Sequence, residues 1–184
     1  MDATLTGKLL IASPLLSDPN FERTVVFICA HSENGAFGLV LNRPTVDEVS
    51  DYLPQWLDIV SAPGVLFTGG PVSPRSAFGL GRVREEDFDE GWMPVTPGIG
   101  LVDLEDGLEA LASKLIDLRL FSGYAGWSEG QLEDEINREG WFVVPCETAD
   151  LFDPEPRRLW REVLRRQRGK VAMFAYFPED PTQN

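Results

Sequence analysis

The stretch that most constrains this chain runs from Phe121 to Trp141, FSGYAGWSEGQLEDEINREGW. Ser128-Glu129-Gly130-Gln131 has the S-x-x-Q form of a capping box. In that arrangement Ser128 accepts from the Gln131 amide and the Gln131 side chain reaches back to the Ser128 amide. Trp127 before the cap and Leu132 at the fourth helical position fit a hydrophobic staple. Glu129, Glu133 and Asp134 fall in or near the first turn, where the helix dipole favours negative charge. Leu132 and Ile136 share a face, so the helix docks on a narrow apolar stripe. Gly140 is placed to act as a left-handed C-cap. Upstream, Gly123 and Gly126 flank Tyr124-Ala125, a side-chain-poor tight turn. Downstream, Trp141 to Val144 reads as a buried strand ended by Pro145. The expected unit is strand, glycine turn, capped helix, strand.

Taken in order, the chain begins with a strand over Lys8–Ala12, followed by a loop punctuated by Pro14 and Pro19. Thr24–His31 and Ala36–Asn42 read as a hairpin closed by Ser32-Glu33-Asn34-Gly35. Alternation puts Val25, Phe27, Cys29 and His31 on one face of the first of these strands. Thr45 can cap a helix reaching about Leu53. Short strands are expected at Val65–Thr68, Ala77–Val83, Trp92–Val95 and Ile99–Val102, and a helix over Asp106–Ile116. Arg84–Gly91 is acidic and solvated. A helix starts at Pro156 and runs to about Gln167, with Gly169 beyond its end. Val171–Phe177 reads as a terminal strand and Pro178–Asn184 as a loose tail. Strands and helices mix without a βαβ rhythm, which argues for an α+β fold.

The motifs resemble the YqgE/AlgH family of bacterial proteins. The resemblance rests on Gly123-Tyr124-Ala125-Gly126-Trp127, Gly130-Gln131-Leu132-Glu133, Glu135 and Trp141. It extends to Gly7-Lys8-Leu9-Leu10-Ile11-Ala12, Pro14, Asp18, Phe21, Thr24-Val25-Val26 and His31. Gly35-Ala36-Phe37-Gly38, Leu41-Asn42-Arg43-Pro44 and Gly69-Gly70-Pro71-Val72 complete it, so it spans nearly the whole chain. It implies a single domain, residues 1–184, whose bent, mixed or antiparallel sheet curls into a pseudo-barrel with flanking helices. It implies no particular chemistry.

Length agrees: 184 residues make one domain with a sizeable core. A formal charge of −14 opposes general affinity for nucleic acid or anionic membrane. Two cysteines, Cys29 and Cys146, make no disulfide framework and suit a reducing cytoplasm. No signal peptide and no apolar run of membrane-spanning length is present in the sequence, so a cytoplasmic, non-membrane protein is expected.

Cys29 and His31, two apart on one expected strand face, are the catalytic candidates: a thiol beside an imidazole base could serve redox or nucleophilic chemistry. Against them stands a plainer role, a buried cysteine and a histidine bonded into a loop, which is preferred because no third orienting group is evident. His31 is the only histidine and the cysteines lie far apart in sequence, so no metal site and no cofactor are expected. Gly69-Gly70-Pro71 lacks a phosphate-loop lysine and reads as a turn that bends the sheet. Arg157, Arg158, Arg161, Arg165, Arg166, Arg168 and Lys170 hold seven of the 16 basic residues. They could meet nucleic acid or an acidic partner, yet the acidic surroundings favour pairing with the protein's own carboxylates, and DNA binding is not expected. His31, Asn42, Arg43, Tyr124 and Trp127 are expected to line one groove, because strand ends leave concavities and polar groups beside aromatics suit pockets. The functional expectation is a binding or regulatory module for a small molecule or protein. The alternatives are a thiol enzyme using Cys29 and His31, and a DNA-contacting regulator using the Arg157–Lys170 helix.

Overall fold

The computed structural model describes residues 4–87 and 90–179. Their strands are β1 Leu9–Ala12, β2 Val25–Ser32, β3 Gly35–Val40, β4 Pro44–Glu48 and β5 Val65–Thr68. β6 Val72–Val83, β7 Trp92–Thr96, β8 Ile99–Val102, β9 Leu115–Ser128 and β10 Trp141–Val144 follow. The helices are short: α1 Val49–Tyr52, α2 Leu108–Leu111, α3 Gln131–Asn137, α4 Thr148–Leu151, α5 Leu159–Arg165 and α6 Lys170–Met173.

The strands form one sheet in the order β10-β1-β2-β3-β9-β6-β8-β7, and β4 and β5 join it where β5 runs parallel to β9. The other pairings are antiparallel. Val144 of β10, Leu9 and Ile11 of β1 and Ile99 of β8 meet in one core cluster, so the two ends of the strand order curl toward each other. The result is a half-barrel. Helix α5 fills its hollow with Leu159, Trp160, Val163 and Leu164, all buried. Burying such side chains contributes about 1.5–3 kcal/mol each.

The opposite face of the β1–β3 region carries a second cluster, including Leu10, Val26, Ile28 and Trp127, roofed by Leu132 of α3. Strands β1 and β2 are therefore apolar on both faces.

Five local assignments differ from the sequence expectation. Thr45 lies in strand β4, not in a helix, because β5 offers a partner: Pro44 pairs with Phe67 and the Thr45 hydroxyl donates to the Leu66 carbonyl at 2.7 Å. The helix expected over Asp106–Ile116 shrinks to α2, because Leu115 already pairs with Val83. Val171–Phe177 forms α6 and a 3-10 turn, with Phe174 stacked on Phe142 at 5.3 Å; a short apolar run carries no period to separate strand from helix. The Gly123–Gly126 turn is continuous strand, because Val72 and Gly38 pair with Tyr124 and Ala125. Finally, α3 starts two residues later than expected. Gly130, at φ 69°, occupies the cap position and Ser128 ends β9. Only the return half of the capping box forms, the Ser128 amide donating to Gln131 Oε1 at 3.1 Å.

At the far end of α3 the left-handed residue is Glu139 at φ 58°, not Gly140. The Glu139 amide donates to Ile136 and the Gly140 amide to Glu135, both at 2.9 Å, which closes a Schellman turn. Residues 180–184 of the expected tail, and Phe88 and Asp89 of the acidic stretch, lie outside the described residues.

Candidate functional site

Cys29 and His31 do not share a face. On β3, Gly38 and Ala36 point one way; their partners across the ladder are Ile28 and His31. Ala30 pairs with the intervening Phe37, so Cys29 is the extra residue of a β-bulge. Cys29 stays with Val25 and Phe27 in the core of the half-barrel, with burial pushing its thiol pKa up, and the bulge turns His31 to the α3 side. There the Leu5 amide donates to His31 Nδ1 at 3.1 Å. Nε2 therefore carries the ring proton and donates to Glu133 Oε1 at 2.7 Å. That bond, then a backbone one, holds the Glu133 carboxyl below its ordinary range.

Two residues along α3, Glu135 accepts both neighbouring indoles on one oxygen: Trp127 Nε1 at 2.9 Å and Trp141 Nε1 at 2.8 Å. Gln131 Nε2 donates to the other oxygen at 3.0 Å. Phe21 lies against this pair, stacked on Trp127 at 6.0 Å and edge-on to Trp141 at 5.5 Å.

Phe21 belongs to the loop between β1 and β2, and the same loop is gripped from its other side. Arg43 donates to the carbonyls of Asn20 at 2.7 Å, Pro19 at 3.0 Å and Glu22 at 3.0 Å. Burial lowers the Arg43 pKa, and Glu22 and Asp18 offset part of that. Asn42 accepts from the Val25 amide at 3.0 Å and donates to the Arg23 carbonyl at 2.8 Å, extending the β2–β3 ladder with its side chain. Asn42, Arg43 and Trp127 thus act on one loop without lining one surface. His31 and Asn42 sit about 20 Å apart along the hairpin. Tyr124 is on the other face, packed against Phe37 at 4.8 Å and Phe78 at 5.6 Å.

What the gripped loop presents is Arg23, which the sequence did not single out. Arg23 holds φ 55°, a left-handed conformation that costs a bulky residue about 1–2 kcal/mol. Its guanidinium lies 4.6 Å from the Trp160 ring centre, and Trp160 Nε1 is fixed on the Ala12 carbonyl at 2.9 Å. Arg23, Trp160, Ser13, Leu16 and Glu22 line a cleft of about 320 Å³ whose far wall is Phe177-Pro178-Glu179.

Other basic groups are engaged internally. Arg158 pairs with Glu155, Arg161 with Glu179, Arg166 with Asp150 and Glu147, and Lys170 with Glu139. Arg119, 1% exposed, stacks 4.4 Å over Phe67 and donates to the Ala62 carbonyl at 2.6 Å. Burial lowers its pKa to about 10. Nothing in the alternation of Leu118, Leu120 and Phe121 distinguished it beforehand. Among the described residues no group of three or more His, Cys, Asp or Glu is arranged to hold a metal ion, and no helix is long and apolar enough to cross a membrane.

A curled half-barrel, two of whose motif-bearing regions are spent on holding one loop, is an AlgH-type architecture. The AlgH-like DUF179 family model matches residues 9–172, and the chain belongs to that family. A UPF0301 protein of Streptomyces coelicolor is 53% identical over 186 residues, covering 99% of this chain and 96% of its own. A Mycolicibacterium smegmatis UPF0301 protein is 39% identical over 182 residues, covering 97% and 90%. A crystal structure of a Corynebacterium diphtheriae protein superposes with a TM-score of 0.87 at 29% identity, covering 96% of this chain and 94% of that one. The solution structure of the Pseudomonas aeruginosa AlgH protein gives 0.71 at 29% identity, covering 98% of each.

Proposed function

We propose that the protein is a binding or regulatory module without chemistry of its own. The observation that carries this is the bulge at Cys29. It parts the thiol from the only histidine in the chain, and both ring nitrogens of that histidine are already bonded. A nucleophile needs a base within hydrogen-bond reach and an exposed thiolate; Cys29 has a buried thiol whose raised pKa keeps it protonated. Cys146 is also held protonated, pushed up to about 12 by burial and then by Asp150. Two unbridged thiols suit a reducing compartment, and we place the protein in the cytoplasm on that ground. Ion pairing of Arg158, Arg161 and Arg166, in and beside α5, with the protein's own carboxylates supports a partner other than DNA.

The test is alkylation of the native protein at neutral pH, with Cys146→Ser isolating Cys29. Cys29 should react more slowly than a free thiol in solution. Modification faster than that standard would restore the thiol-enzyme alternative.

A further inference from the structure

The far wall of the cleft beside Trp160 is an extended piece of the chain held by two arginines. Arg23 Nη2 donates to the Phe177 carbonyl at 3.1 Å and to the Pro178 carbonyl, and Arg161, next to Trp160 on α5, faces the Glu179 carboxylate at 3.5 Å. Two successive backbone carbonyls and one carboxylate are thus read by two guanidiniums. That is recognition of an extended acidic segment, not of a lone anion. The segment is partly exposed, Phe177 at 45% and the Glu179 side chain at 81%, and beyond the arginines it is held by Phe177, which packs on Phe174 at 5.4 Å. Nη1 and Nε of Arg23 have no hydrogen-bond partner among the described residues, and cleft volume remains beside the segment. The charge balance points the same way. With Glu179 withdrawn, the lining keeps one cation, Arg23, and one anion, Glu22, and Arg161, close enough to Arg23 to lower its pKa, adds a second positive charge beside the cleft.

We propose that this cleft is a docking site for an extended acidic segment of a partner protein, an apolar residue followed within two positions by a carboxylate. Phe177–Glu179 is the internal occupant that such a segment displaces. This rests on the chain being a binding module and names where and what it binds. Asn42, Arg43 and Phe21 are the positioning residues: they fix the loop that aims Arg23 at the cleft.

A fluorescent peptide copying residues 176–184 serves as the probe, with anisotropy titrations against the full-length protein. Glu179→Gln removes the internal carboxylate, an exposed pair at 3.5 Å, and should tighten peptide binding about two- to fivefold over the unaltered chain. Adding Arg161→Gln should reverse the gain, and Arg23→Lys, which keeps charge but loses the planar guanidinium lying over Trp160, should weaken binding several-fold. Arg161 bears on the surface, so its variant keeps the test alive if changes at Arg23 disturb the loop. Equal affinity for the Glu179→Gln and unaltered chains overturns the proposal. So does equal affinity for a scrambled peptide, or complete displacement by inorganic phosphate at matched ionic strength, which would mark a site for lone anions. Alkylation of Cys29 reads the broader functional proposal separately, so either can fail alone.

Discussion

Trp127 and Trp141 donate their indole N–H groups to the same oxygen of Glu135, at 2.9 and 2.8 Å. One residue sits at the end of the long strand β9 and the other opens β10, so a single carboxylate on α3 ties the helix to two strands. The pair also forms the bed on which Phe21 rests.

The first prediction follows from hydrogen-bond accounting. Glu135→Ala strands two indole donors in a mostly apolar site, at about 1–3 kcal/mol each before any lost packing. Glu135→Gln keeps one acceptor but turns its amide toward either the indoles or Gln131 Nε2, both of them donors. Urea midpoints should rank wild type above Glu135→Gln above Glu135→Ala. A Gln variant as stable as wild type would show that the carboxylate's second oxygen is idle.

Where α3 begins gives the second prediction. Gly130 holds φ 69°, and a β-carbon there would meet nothing within 4 Å. Gly130→Ala therefore measures backbone strain alone, about 1–2 kcal/mol. Ser128→Ala removes only an exposed 3.3 Å hydroxyl contact to Gln131 and should cost under about 0.5 kcal/mol. If Ser128→Ala proves the costlier of the two in denaturant melts, Ser128 is the cap after all.

The third prediction concerns the place where two glycine motifs interlock. A β-carbon on Gly70, at φ 153°, would lie 2.1 Å from the Tyr124 carbonyl carbon, and one on Gly123 would lie 2.4 Å from the Gly70 oxygen. Neither obstacle is a movable side-chain end. Gly70→Ala should cost more than about 4 kcal/mol and leave little folded protein in expression and melting assays. A well-folded Gly70→Ala variant would mean the strands separate there more easily than their packing implies.

How much of this was legible in the sequence depended on whether the signal was local. The β2–β3 hairpin was, because alternation and Asn34-Gly35 are read within a dozen residues. The curled α+β architecture came from family motifs spread along the chain. The bulge was not legible: Cys29 is an ordinary strand residue, and it becomes the extra one only against Phe37 and Gly38 of its partner. The S-x-x-Q motif misplaced the helix start because half of its bonding survives when the cap moves to Gly130. Asn42, Arg43 and Trp127 stood out, but what they support did not. Arg23 and Trp160 meet only once α5 has folded into the hollow of the sheet, a contact no window of sequence contains.

The last prediction uses the hydrogen bond by which His31 ties α3 to the β2–β3 hairpin. His31 Nε2 donates to Glu133, and this bond is the largest cause holding the Glu133 carboxyl below its ordinary 4.5. A carboxylate with a depressed folded pKa adds stability that is fully present above the unfolded value and is lost as pH falls through the folded one. The window therefore opens just below 4.5 and extends downward. Glu133 is about half exposed, 47% by side chain, so solvent screening limits its worth to about 0.5 kcal/mol. Glu133→Gln should be slightly less stable than wild type in urea at neutral pH. The gap should close as the pH drops below the carboxylate range, because protonated wild type then resembles the amide. A gap that stays constant from neutral to acid would assign the loss to the geometry of the amide and not to the charge of Glu133.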